Sequence, residues 1–253
     1  MKVFVIMPAA GLGTRMSAPG SAGKKPLPSK QFNELAGTPI LVHSLRRFAE
    51  VPKVTEIWIA LRQTEIAGFR ERLTKEFGLQ DGRLGGKKVE LVEGGEHRQQ
   101  SVANALNAIK ADAGDIVLVH DAVRPLVSVE IIEEVLAGVE KHSAAIAGLP
   151  AVDTIKQVER TADGALIHAT LPRERIVLAQ TPQGFRYALL RKAFDMAAAD
   201  GFLGTDEASL VEHAGDPVAV VMGSPRNIKI TTPADMELAE FYLEKQSFTK
   251  INA

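Results

Sequence analysis

Apolar positions fall along the chain in two rhythms. Short β-branched or continuous apolar runs occupy 2–7, 54–61, 88–92, 115–119, 144–149, 176–180, 218–222 and 227–230, and read as strands. Between them, apolar residues recur at helical spacing over 39–49, 64–77, 99–110, 129–141, 187–199 and 233–245. The run at 116–119 is apolar at every position, as in a strand covered on both faces. Thr232 ahead of Pro233 reads as an N-cap followed by proline at the first helical position. Strand–helix alternation of this kind predicts an α/β fold with a mostly parallel twisted sheet flanked by helices.

Two segments break the alternation. Residues 8–33 form a long loop rich in Gly, Pro, Ser and Lys, a length that in compact domains usually serves function or is disordered. Residues 151–176 hold two β-like stretches, 153–159 and 165–170, joined by Ala162-Asp163-Gly164. The Asp-Gly pair signals a hairpin, so this segment is expected to project as a β-arm. There is no internal repeat and no dividing linker, and residues 1–253 are expected to form one domain carrying that arm.

Composition narrows the classes. The 253 residues carry 30 Lys+Arg against 31 Asp+Glu, a net charge of −1, which gives no electrostatic reason to expect nucleic-acid binding. With no cysteine, disulfides, thiolate zinc sites and a cysteine nucleophile are excluded. The first ten residues read as a buried strand entering a glycine loop rather than as a signal peptide, because no cleavage region follows. No apolar run reaches the roughly 18 residues of a membrane span. A soluble, cytoplasmic protein without a membrane partner is expected.

The strongest chemical signal follows the first strand: Pro8-Ala9-Ala10-Gly11-Leu12-Gly13-Thr14-Arg15-Met16. Small residues let the backbone approach a ligand, and successive N–H groups can cradle phosphate oxygens. The loop is not a Walker A sequence, and Met16 takes the third glycine position of a dinucleotide fingerprint. Arg15 adds a fixed positive charge. Lys24 and Lys25 read as a solvated face, whereas Lys30, before Gln31-Phe32, is placed to fold back over the same anion.

Three more constellations lie at strand ends. Gly94-Gly95-Glu96-His97-Arg98-Gln99-Gln100-Ser101-Val102 opens a helix, where Gly95 permits close approach and Ser101 bonds either a base or ribose or its own backbone. Val119-His120-Asp121-Ala122-Val123-Arg124-Pro125 ends the buried strand. There Asp121 is a candidate Mg²⁺ ligand, and Arg124 pairs with a phosphate or braces Asp121. Weaker signals are Asp153-Thr154-Ile155-Lys156, Arg173, Gln180-Thr181-Pro182-Gln183, Thr205-Asp206-Glu207-Ala208-Ser209, which fits a helix cap, and Asn227-Ile228-Lys229-Ile230-Thr231.

In this order, these elements resemble the 2-C-methyl-D-erythritol 4-phosphate cytidylyltransferases of the non-mevalonate isoprenoid pathway. The likeness runs from Pro8 to the helix after Pro233 and rests on the ordered set rather than on any one motif. It implies a Rossmann-like nucleotidyltransferase fold and transfer of CMP from CTP to methylerythritol phosphate with Mg²⁺. Residues 8–15, including Pro8, Ala9, Ala10, Gly11 and Gly13, would wrap CTP, with Arg15 and Lys30 on its phosphates. Gly95 and Ser101 would contact the cytosine and ribose region, Ala122 would also contact substrate, and Asp121 would help hold Mg²⁺ or the ribose. Thr154, Arg173, Thr181 and Lys229 would form the sugar-phosphate site, and Arg124 would also contact substrate. The arm would pair two subunits in a homodimer, placing Thr154 and Arg173 in the partner's site. Arg15, Lys30, Arg173 and Lys229 would be the catalytic charges. The sequence departs from the family pattern in a longer 16–29 loop and in Ser29, Glu96 and Val123. Two rivals stand beside this reading: a cytidylyltransferase for another polyol phosphate such as ribitol 5-phosphate, and an inactive nucleotide-binding regulatory protein.

Overall fold

A computed structural model describes residues 1–11 and 30–251. Seven strands build the main sheet: β1 (Val3–Pro8), β2 (Glu56–Leu61), β3 (Lys87–Glu93), β4 (Ile116–Val119), β5 (Ala144–Pro150), β8 (Val177–Arg186) and β9 (Ala219–Met222). Their order is β9-β5-β8-β4-β1-β2-β3, and Arg83–Leu84 adds a short edge strand beside β3. β1 pairs in parallel with β2 and β4, β2 with β3, and β5 with β9. β8 runs antiparallel between β4 and β5. The chain moves outward from β1 through β2 to β3, then returns to β4 on the other side of β1. That reversal opens a crevice at the carboxyl ends of β1 and β4, where ligands bind in open α/β sheets.

Pleating decides which residues meet which layer. Along β1, Val3, Val5 and Met7 enter one core, with α1 (Ile40–Ala49), α2 (Gln63–Glu76) and α4 (Val129–His142) packed over it. Phe4 and Ile6 point the other way, into a core closed by α3 (Arg98–Ala108), α5 (Tyr187–Asp200) and α6 (Glu207–His213). Both faces being covered explains why Ile116–Val119 is buried at all four positions. Gly184 of β8 lies where an added Cβ would sit 2.7–2.9 Å from Val139, Leu118 and Val135, so only glycine lets α4 lie this close.

The C-terminal α7 (Pro233–Ile251) starts as the sequence predicts. Thr232 Oγ1 accepts the Asp235 N–H at 3.3 Å, and the Asp235 carboxylate accepts from Thr231 N, Thr231 Oγ1 and Thr232 N at 2.7 Å each. Burial opposes the Asp235 charge, but the bonds from Thr231 and Thr232 hold its pKa down at about 2. The predicted strand at 227–230 is corrected. Ile228 and Ile230 pack beneath α7 with Leu35, Leu126 and Ala239, and Ile230 N–H donates to Val123 O at 2.9 Å, but the segment joins no strand ladder among the described residues. The alternation comes from an extended segment with its two isoleucines inward, not from a sheet ladder. The short α6 continues from the predicted cap, Asp206.

The hairpin forms at 151–176: β6 (Ile155–Thr161) and β7 (Gly164–Leu171) pair antiparallel apart from the main sheet. Its strands are almost wholly exposed, with Val158, Leu166 and Ile167 open to solvent.

Candidate active site

Two adjoining clefts occupy the crevice. The first, of about 180 Å³, is lined by Pro8–Gly11, Lys30, Gln31, Gly95–Arg98, Ser101, Asp121–Val123 and Lys229. The second, also about 180 Å³, shares Arg98, Asp121 and Lys229 and adds Arg124, Thr181, Gln183, Thr205 and Asp206 among its walls. The structure thus brings together most of the residues the sequence singles out: Pro8, Ala9, Ala10, Gly11, Lys30, Gly95, Ser101 and Ala122 at the first cleft, Arg124 and Thr181 at the second, Asp121 and Lys229 at both. Thr154 and Arg173 line neither cleft. They sit at the base of the arm, where Arg173 Nη1 donates to Val152 O at 2.7 Å. Gly13 and Arg15 lie outside the described residues.

The floor of the first cleft is backbone held from below. Ala9 N–H donates to Ala60 O at 2.8 Å, and Gly94 N–H donates to Leu61 O at 2.7 Å. Arg62 Nε donates to Ala10 O at 3.0 Å, and the buried Gln31 side chain donates to Ala9 O. A Cβ at Gly94 would strike Ala10 and come within 3.0 Å of Ser101 Oγ, so glycine is what lets the two ligand-facing loops touch. Ser101 Oγ accepts from Gly95 N at 3.0 Å and donates to His97 O at 3.1 Å. Its hydroxyl shapes the glycine loop while the residue lines the cleft.

Asp121 is the electrostatic centre. Its Oδ1 is 3.1 Å from Arg98 Nε, and its Oδ2 is 2.8 Å from Lys229 Nζ and 3.5 Å from Arg124 Nε. Burial alone would raise its pKa. Arg98, then Lys229 and Arg124, outweigh that and hold the carboxyl well below the usual carboxylate range. Arg98 also donates from Nη1 to Oε1 of the buried Glu207 at 2.7 Å. Burial pushes the Glu207 carboxyl up, and Arg98 opposes the shift. Arg98 itself pays desolvation, but Glu207 and Asp121 together raise its pKa. Sequence reasoning did not single out Arg98 or Glu207. Both lay within quoted motifs, but only the fold shows that residues 109 apart form one ion pair.

His120 and Asn227 do not line the second cleft but both bond Thr181, which does. His120 is fully buried against Phe48, with ring centroids 4.8 Å apart. Desolvation, partly offset by its bond to the Arg124 carbonyl, lowers its pKa to about 4, so the ring is neutral at pH 7.

The reading of Asp121 as a protein ligand for Mg²⁺ does not fit these surroundings. Both oxygens already face cations, and the described residues contain no group of three or more metal-capable side chains.

A crevice at the switch point of a doubly wound sheet, floored by small residues and ringed by Lys and Arg, defines an α/β protein that binds an anionic ligand such as a nucleotide. The sequence model of the family IspD, 2-C-methyl-D-erythritol 4-phosphate cytidylyltransferase, matches residues 3–245. A protein of that name from Acidobacterium capsulatum is 59% identical over 247 residues, covering 98% of this chain and 99% of that one. Another from Solibacter usitatus is 50% identical, covering 98% of each chain. The solved Francisella tularensis enzyme of that name superposes with a TM-score of 0.77 at 35% identity, covering 95% of this chain and 99% of that one. The chain belongs to the 2-C-methyl-D-erythritol 4-phosphate cytidylyltransferase family.

Proposed function

We propose that the protein transfers the cytidylyl group of CTP to 2-C-methyl-D-erythritol 4-phosphate, releasing pyrophosphate, as a step in isoprenoid precursor synthesis in the cytoplasm. The observation that carries this reading is the pair of adjoining clefts sharing Arg98, Asp121 and Lys229: one with a backbone floor suited to a nucleotide, the other a polar cavity suited to a small polyol phosphate.

In the reaction, a phosphate oxygen of the acceptor attacks the α-phosphorus of CTP. A new P–O bond forms, the bond to the β-phosphate bridging oxygen breaks, and pyrophosphate carries away the electron pair. The nucleophile is already an anion, so no general base is required. The barrier lies in bringing anions together and in charge building on the phosphoryl oxygens. Lys30 and Arg15 are assigned to the triphosphate, and Lys229, on the wall between the clefts, to the acceptor phosphate and the reacting centre. Positioning and charge stabilisation then supply the catalysis. Mg²⁺ is taken to arrive as the substrate MgCTP, its ligands the nucleotide's own phosphates, and no step is routed through Asp121.

The exposed arm, with Val158, Leu166 and Ile167 on its surface, supports a homodimer in which Thr154 and Arg173 serve the partner's second cleft. Residues 1–253 then act as one nucleotidyltransferase domain with the 151–176 arm as its dimerisation device. The test is pyrophosphate release with Mg²⁺ and CTP, comparing methylerythritol phosphate with ribitol 5-phosphate and repeating with ATP, GTP and UTP. Release confined to CTP with methylerythritol phosphate is expected; faster release with ribitol 5-phosphate would overturn the acceptor assignment.

A further inference from the structure

We infer that His120 acts as a positioning residue that fixes the polarity of Thr181, so that Thr181 offers only a hydrogen-bond acceptor to the second cleft and reads a hydroxyl of the acceptor substrate rather than its phosphate. The hydroxyl assignment rests on the proposed function; the polarity does not.

The argument is a count of protons and lone pairs. His120 Nε2 lies 3.1 Å from Arg124 O. A carbonyl can only accept, so Nε2 carries the proton. The ring is fully buried, and its nitrogens are met by that carbonyl and by Thr181 Oγ1, with no carboxylate bonded to either. In the neutral ring Nδ1 is then an acceptor, and the Thr181 hydroxyl, 3.1 Å away, donates to it. One lone pair of the same oxygen accepts the Asp121 N–H at 3.0 Å. The hydroxyl proton and one lone pair are used, and one lone pair is left on a residue that lines the second cleft.

Two bonds hold Thr181 Oγ1 in place, to His120 Nδ1 and from Asp121 N–H, and the Thr181 carbonyl is tied into a circuit with the same histidine. Arg124 Nη1 donates to Asn227 O at 2.7 Å, and Asn227 Nδ2 donates to Thr181 O at 2.8 Å. From His120 to Arg124, Asn227, Thr181 and back, each member holds the next, and all four are buried. A phosphate at neutral pH presents acceptor oxygens almost exclusively and would meet a lone pair at Thr181. A polyol hydroxyl has the proton that position requires. The cations of the same cavity, Arg98, Arg124 and Lys229, are the complementary partners for phosphate.

The test has two readouts. In ¹⁵N NMR of the full chain at pH 7, assigned by the signal lost in His120→Gln, Nε2 is expected to be protonated and Nδ1 unprotonated. A protonated Nδ1 would overturn the proposal. In kinetics, Thr181→Val is expected to lower kcat/KM for methylerythritol phosphate about tenfold. It should have no effect on one of the three acceptors lacking a single hydroxyl, and should leave KM for CTP unchanged. His120→Leu, which removes the acceptor for the Thr181 proton, should lose the preference for that hydroxyl, and His120→Asn, which restores an acceptor near the Nδ1 position, should recover part of it. An equal penalty of Thr181→Val across all three deoxy acceptors would overturn the hydroxyl assignment even if His120→Leu fails to fold. If no acceptor of this set is used at all, the functional reading and the hydroxyl assignment fall together, while the NMR result still decides the polarity of Thr181.

Discussion

Replacing Arg98 by methionine removes the only cation bonded to Glu207 among the described residues while keeping most of the side-chain volume. Glu207 is 1% exposed; one carboxylate oxygen takes the Arg98 bond and the other, Oε2, is buried without a hydrogen-bond partner among the described residues. Stripped of Arg98, the carboxylate would be an uncompensated buried charge, for which breaking a buried pair costs about 3–5 kcal/mol. The Arg98 side chain is 27% exposed, so water reaches the gap it leaves, which favours the lower end, about 3 kcal/mol. For a chain of this size that corresponds to a Tm lower by about 6–12 °C at pH 8.

The pH dependence separates this mechanism from lost packing. Burial raises the folded-state pKa of Glu207, and removing Arg98 removes the chief opposition to that rise. An acid with a raised folded pKa binds its proton more readily folded than unfolded. The penalty is therefore largest above the folded pKa and shrinks as pH falls toward the unfolded value near 4.5. Urea melts of wild type and Arg98→Met at pH 8 and pH 5 should show the gap narrowing at pH 5. The double variant Arg98→Met/Glu207→Gln should recover at least half of the loss at pH 8. A single variant within about 1 kcal/mol of wild type, or a double variant no more stable than the single, would refute the reasoning.

Gly94→Ala should raise KM for CTP and cost about 1–3 kcal/mol in denaturant melts, because its Cβ collides with Ala10 and crowds Ser101. The His120 ring proton resonance should titrate near 4 rather than 6.5, Asp121 favouring and Arg124 and Arg98 opposing its protonation. Since the folded pKa is the lower one, the neutral ring's contribution is complete above pH 6.5 and drains away as pH falls to 4, up to about 3 kcal/mol in acid melts. Lys30→Ala should lower kcat more than it raises KM for CTP in steady-state assays. A kcat within twofold of wild type would remove Lys30 from the mechanism.

Much of the fold could be read from the sequence because local and global signals agree. The fully apolar 116–119 run, the Thr232-Pro233 start and the Asp163-Gly164 turn each point to the element that forms. The strand expected at 227–230 did not form, since period-two burial marks any extended segment with one face inward and cannot show whether a ladder partner exists. The site divided in the same way. Glycine loops and strand-end charges carry their meaning in short motifs, so Gly95, Asp121 and Arg124 were visible. Arg98–Glu207 joins residues 109 positions apart and the Arg124–Asn227 link of the circuit joins residues 103 apart, so their roles arise only when α3 meets α6 and when β4, β8 and the 227–230 segment come together.

That convergence also explains why a carboxylate stands among cations in a site built for anions. Arg98, Arg124 and Lys229 would repel one another if they met alone in a partly buried crevice. Asp121 offsets that repulsion, and the three in turn hold it ionised. With Glu207 the cluster of three cations and two carboxylates carries a net charge of +1 before any substrate enters. Arg98 is tied at both ends and Arg124 is locked to Asn227, whereas Lys229 is 40% exposed and held at its ammonium by Asp121. Lys229 is therefore the charge most able to swing from Asp121 to an arriving phosphate, and the arginines keep Asp121 satisfied when it does. The carboxylate stores the cations in position, so that little reorganisation is needed when charge develops at the reacting phosphorus.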